Sequence, residues 1–188
     1  MEKLAGYLTN LCVKEGIING DYEIYYYGFV KQLGFAFNAI LIMAVGYWAK
    51  AFEESMIFLL VFGNIREYSG GYHANTSFQC TVFSILTFLL CKGISSVFGD
   101  IIIVLSAISL VLICNLAPVT NYNKPNTTST LKKAKQKTMR LSILWFLIAL
   151  ICQWVSIKCF EIIFSIIIAI LLLMIIQMYK VKGEKNEN

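Results

Sequence analysis

Charge is scarce in this chain. Lysine and arginine number 16 and aspartate and glutamate 11 in 188 residues, so charged residues make up 14% against 58% hydrophobic ones. Soluble domains carry about 25% charged residues, and with a mean hydropathy of +0.69 this composition belongs in a bilayer. Two prolines and 12 scattered glycines exclude a low-complexity or linker-rich protein. The first thirty residues contain Glu2, Glu15, Asp21 and Glu23 and offer no short apolar run with a small-residue cleavage site, so a signal peptide is not expected. Neither a CxxC nor a Cys/His cluster is present, which argues against zinc and dithiol redox chemistry. No metal, cofactor or nucleic-acid partner is expected. Cys91, Cys114, Cys152 and Cys159 sit in or beside apolar runs, where cysteine acts as a small hydrophobe. Cys12 lies in the N-terminal region and is read as structural too. Histidine occurs once.

The patterning predicts a single all-α, polytopic membrane domain over residues 1–188. Residues 1–32 form an interfacial region: Leu4, Tyr7, Leu8, Leu11 and Cys12 share one helical face, and a helix of that kind lies on the membrane. Asn19-Gly20-Asp21 reads as a turn. Tyr22, Tyr25, Tyr26 and Tyr27 suit the headgroup level. About six hydrophobic segments follow, at 33–48, 55–65, 78–98, 101–117, 141–157 and 162–179. A spanning helix needs about 20 residues, so one or two of these, above all 55–65, are short enough to be tilted or re-entrant. Residues 118–140 read as a polar loop, and the charged tail 180–188 reads as disordered.

That loop holds Lys124, Lys132, Lys133, Lys135, Lys137 and Arg140 and no acidic residue. The positive-inside bias places it in the cytoplasm. Counting spans outward from it puts Arg66 to Ser77 on the same face, with Asp100 and Lys158 to Glu161 opposite.

The stretch between 66 and 80 carries the chemistry. It contains His73 and, seven residues on, Cys80. A cysteine attacks carbonyls as its thiolate, and a neighbouring histidine is the usual way to make one. On an uninterrupted helix the two residues would lie about 10.5 Å apart along the axis, too far to pair. A break is therefore required. Gly70-Gly71 can supply one through backbone angles closed to other residues, and Asn75, Thr76 and Ser77 are good caps for a new helix. Cys80 would then fall in the first turns of that helix, where the dipole favours an anion and free N–H groups can meet an oxyanion. The bland alternative is a headgroup-anchoring histidine and a core cysteine.

Arg66-x-x-Ser69-Gly70-Gly71-x-His73-Ala74 followed by Cys80, with Ala117-Pro118-Val119 opening a lysine-containing loop that includes Pro125, resembles the accessory gene regulator B family over essentially the whole chain. The resemblance implies a membrane-embedded cysteine endopeptidase of quorum sensing in the bacterial cell membrane, with its active site at the cytoplasmic face. His73 and Cys80 are then the catalytic pair. The substrate is a precursor peptide of the AgrD kind, with an amphipathic leader and an acidic tail, cleaved on its C-terminal side and cyclised to a thiolactone or lactone. Arg66, Gly70, Gly71, Lys132, Lys133 and Lys135 are candidate substrate-binding residues. Arg66 is open to a lipid-phosphate role, and the lysines to a topological role beside anionic lipid. Glu67, Asn75 and Gln79 are candidates to orient His73. A homodimer and membrane-lipid contacts are expected. The competing reading is a small transporter or channel-like protein with His73 and Lys92 in a polar pathway.

Overall fold

A computed structural model describes residues 2–17, 20–70, 77–99, 101–119, 128–155 and 157–186. Among these residues the chain is all helical: α1 (Glu2–Lys14), α2 (Tyr22–Trp48), α3 (Phe52–Ser69), α4 (Ser77–Val97), α5 (Ile101–Leu116), α6 (Thr128–Cys152) and α7 (Ile157–Asn186). One isolated parallel bridge, Gly70 with Val119, is the sole β-type pairing described.

The bundle is built around α7, which packs against α3, α4, α5 and α6. Ile162, Phe164, Ile166, Ile167, Ile170 and Met174 are fully buried along it. The isoleucine-rich run allows this, since a helix apolar all round is stable only when covered all round. Phe164 meets Phe146 of α6 at 5.4 Å between ring centroids. In α3, Phe58 is stacked on Phe62 and set edge-on to Phe88 of α4. Between membrane helices such packing, rather than water exclusion, holds the elements together. Hydroxyls within the helices turn back on their own turns: Ser84 to the Cys80 carbonyl, Thr87 to Phe83, Ser109 to Leu105 and Thr138 to Ala134. That is the expected solution where no water satisfies them.

Three helices are long and apolar enough to cross a membrane, at Tyr22–Trp48, Gln79–Val97 and Phe160–Lys180, and the apolar α5 is shorter. Of the about six hydrophobic segments expected, with one or two tilted or re-entrant, three are thus found as helices of spanning length among the described residues. Glu53 and Glu54 lie in the first turn of α3 and Arg66 and Glu67 near its end, so the apolar stretch between them is short. In α6 the lysines occupy the first half, so its apolar part is short.

Three local expectations change. Residues 128–140, expected as loop, are the first half of α6, and the tail is helical to Asn186 rather than disordered. Lysine and glutamate are good helix formers, so charge alone did not mark coil. The tyrosines 22–27 open α2 instead of preceding it. In α1 the buried residues are Ala5 and Thr9, with Gly6 beside the Tyr26 ring, while Leu4, Tyr7 and Leu11 face outward. Small residues allow close approach to α2, which leaves the larger apolar ones on the free face.

Candidate active site

A helix break falls at Gly70, ahead of His73, and the stretch from Gly71 to Thr76 lies outside the described residues. Helix α3 ends at Ser69 and α4 begins at Ser77. Gly70 stops α3 by adopting φ +71°, a left-handed conformation natural to glycine. A Cβ there would also run into the carbonyl oxygen of Val119. Two independent constraints therefore demand glycine at this position. Gly71, His73 and Asn75 lie outside the described residues.

Cys80 is the fourth residue of α4 and half-buried, a free thiol in the first helical turn. Cys80 thus lies at the end of α4 where the helix dipole is positive. Gln79 and Glu67, two of the candidates to orient His73, are exposed.

Arg66 stands in the last turn of α3 and is half-buried. Its Nη1 donates to the carbonyl of Gly70 at 3.1 Å, and the guanidinium lies 5.8 Å from the Phe62 ring centroid. Burial pulls its pKa down to about 10, while the charge of nearby Cys80 acts in the opposite direction. Arg66 thus stays cationic at neutral pH and within electrostatic reach of the candidate nucleophile. The Ser69 hydroxyl also donates to the Gly70 carbonyl, at 3.2 Å.

The segment following α5 meets the same corner. Val119 N–H donates to the Ser69 carbonyl at 3.0 Å, and Lys137 of α6 sets its ammonium 4.6 Å from the Tyr68 ring centroid. One end of the bundle therefore gathers the exit of α3, the start of α4, the end of α5 and the basic half of α6. Lys132, Lys133 and Lys135 are exposed on that half. Val119 and Lys137 thus join this corner through contacts with Ser69 and Tyr68, residues distant from them in sequence. Neither contact has a local sequence signal.

Lys92 lies towards the opposite end of α4. Its Nζ donates to the Ala49 carbonyl at 2.8 Å, at the C-terminus of α2. That is a capping role, with a cation at the negative end of a helix, rather than a place in a polar pathway.

A family model described as Accessory gene regulator B matches residues 1–179. Among curated proteins, the chain is 32% identical over 126 residues to the accessory gene regulator protein B of Staphylococcus aureus (strain Newman), covering 65% of each chain. An AgrB-like protein of Clostridium perfringens (strain SM101 / Type A) is 30% identical over 126 residues, 61% of this chain and 58% of that protein. The accessory gene regulator protein B of Staphylococcus intermedius is 27% identical over 118 residues, 61% of this chain and 63% of that protein. The matched stretch thus spans somewhat under two thirds of these relatives' length. No solved structure matches the chain.

Proposed function

Because this chain belongs to the accessory gene regulator B family, we propose that it is a membrane-embedded cysteine endopeptidase that cleaves a quorum-sensing precursor peptide and cyclises it. The observation that carries the reading is the position of Cys80. It is a free, half-buried thiol in the first turn of α4, and α3 has already ended at Ser69, ahead of His73. The apolar helices long enough to cross a membrane fit such a setting.

In this mechanism His73 takes the thiol proton, and Cys80 Sγ attacks the scissile carbonyl carbon. Amide N–H groups at the start of α4 receive the oxyanion. The C–N bond breaks, His73 protonates the leaving amine, and the acidic C-terminal fragment departs. An acyl-enzyme thioester remains on Cys80. A Cys or Ser side chain of the bound peptide then loses its proton to His73 and attacks the thioester carbonyl. The bond to Cys80 breaks, the thiol is restored, and the peptide leaves as a thiolactone or lactone. Exclusion of water favours the ring over hydrolysis.

The gathered end of the bundle serves as the cytoplasmic face. Lys132, Lys133 and Lys135 attract the acidic tail of the precursor, or the anionic lipid beside it. The outward apolar face of α1 suits the amphipathic leader. The enzyme acts as a homodimer in the bacterial cell membrane.

Co-expression with a precursor peptide that carries an amphipathic leader and an acidic tail tests the reading. Cyclic peptide is expected from wild type and none from Cys80→Ala or His73→Ala. Unchanged processing in either variant overturns it.

A further inference from the structure

Three consecutive residues at the exit of α3 are each gripped from a different place. Lys137 of α6 lies over the Tyr68 ring, Val119 N–H holds the Ser69 carbonyl, and Arg66 Nη1 holds the Gly70 carbonyl. Gly70 itself sits so tightly on Val119 that a side chain has no room there. His73 follows only three residues later in sequence. A chain of three residues reaches at most about 11 Å, so the place where Gly70 is fixed bounds where His73 can go. A helix end that needed only a cap would be served by Arg66 and Ser69 alone. The contacts from Val119 and Lys137 come from the two flanks of the connection between α5 and α6.

We propose that this grip is a positioning device: Arg66, Gly70 and Val119 fix the departure point of the segment carrying His73, so that the histidine meets Cys80. It rests on the assignment of His73 and Cys80 as a catalytic pair. Val119, which carries no role in the proposed chemistry, becomes a positioning residue through its backbone N–H. Arg66 acts through the Gly70 carbonyl rather than on substrate. Because the same corner is held by α6, movement of the basic half of α6 would be felt at His73.

The test is the rate at which iodoacetamide alkylates Cys80 at pH 7 in the full chain in detergent, read by peptide mass mapping. The variants are Gly70→Ala, Val119→Pro, Arg66→Gln, Arg66→Lys, His73→Ala and the control Gly93→Ala. An added Cβ at Gly93 meets nothing within 4 Å. A histidine that activates a thiol raises its alkylation rate by about ten-fold or more at neutral pH. Gly70→Ala, Val119→Pro and Arg66→Gln are expected to fall to the His73→Ala rate, Arg66→Lys to recover part of the loss, and Gly93→Ala to match wild type. Gly70→Ala and Val119→Pro keep the Arg66 charge, so their slowing separates position from electrostatics. Wild-type rates in Gly70→Ala, Val119→Pro and Arg66→Gln, alongside a slow His73→Ala, overturn the device and leave the pair standing. Equal rates in wild type and His73→Ala overturn the pair, and the device with it. Where Gly70→Ala or Val119→Pro is not recovered as a monodisperse protein, Arg66→Gln is compared with wild type at about 1 M salt, where exposed charges are screened within about 3 Å: slowing that persists upholds the device, and slowing that vanishes overturns it.

Discussion

Lys92 in α4 donates from its ammonium to the carbonyl of Ala49 at 2.8 Å, joining residues 43 apart in sequence. A cation among apolar residues invites a transport reading, and here it serves as the cap of α2. Hydrogen bonds from charged groups contribute about 1.5–3 kcal/mol. Lys92→Met is therefore expected to lower thermal stability in detergent by an amount in that range while leaving peptide processing intact. A loss of processing without a loss of stability would speak for a functional cation instead.

Gly70→Ala meets both a positive φ and the carbonyl of Val119. Backbone strain of this kind costs about 1–3 kcal/mol. A lower unfolding midpoint in detergent is expected, where an exposed helix-end glycine would tolerate alanine with little change.

Phe58 is fully buried, stacked on Phe62 at 4.8 Å and edge-on to Phe88 at 5.4 Å between centroids. Phe58→Ala should cost about 3–5 kcal/mol, in the manner of large-to-small core changes. Thermal unfolding of purified protein reads it directly. A loss below about 1 kcal/mol would mean that α3 is not packed against α4 in this way.

The exposed lysines of α6 can be separated from the Lys137 brace. The triple change Lys132→Gln, Lys133→Gln, Lys135→Gln is expected to slow processing of a precursor with its acidic tail and to leave a tail-neutralised precursor unaffected. Equal slowing of both precursors would assign the lysines to lipid. Lys137→Met should instead lower stability by about 0.5–1 kcal/mol through loss of its contact with Tyr68, seen as a shifted unfolding curve.

How much of this was legible beforehand depends on the range of the interaction. The end of α3 is legible, because Gly70 is a local signal and takes the positive φ that only glycine adopts readily. The start of α4 at Ser77, and with it the place of Cys80 in the first turn, matches the capping residues read there. The basic half of α6 reads as loop by its charge, yet a run of lysines without proline or glycine is a fair helix. Apolar runs taken singly overstate the number of spans. Helix α3 carries its charges at both ends, and α6 spends half its length on lysines. The contacts of Val119 with Ser69 and of Lys137 with Tyr68 had no signature, since each joins residues distant in sequence and depends on how the helices meet. The backbone freedom of Gly70 is evident in the sequence, whereas its tight seat on Val119 arises only from the fold.

The most direct measurement of the central claim is the mass of the enzyme during turnover. A precursor whose ring-closing Cys or Ser is replaced by alanine can acylate the enzyme but cannot cyclise. With it, wild type is predicted to gain the mass of the N-terminal peptide fragment on the tryptic peptide containing Cys80, as an adduct removed by neutral hydroxylamine. Cys80→Ala should gain nothing. Cleavage of that precursor by Cys80→Ala, or an adduct on any other residue, would contradict the account.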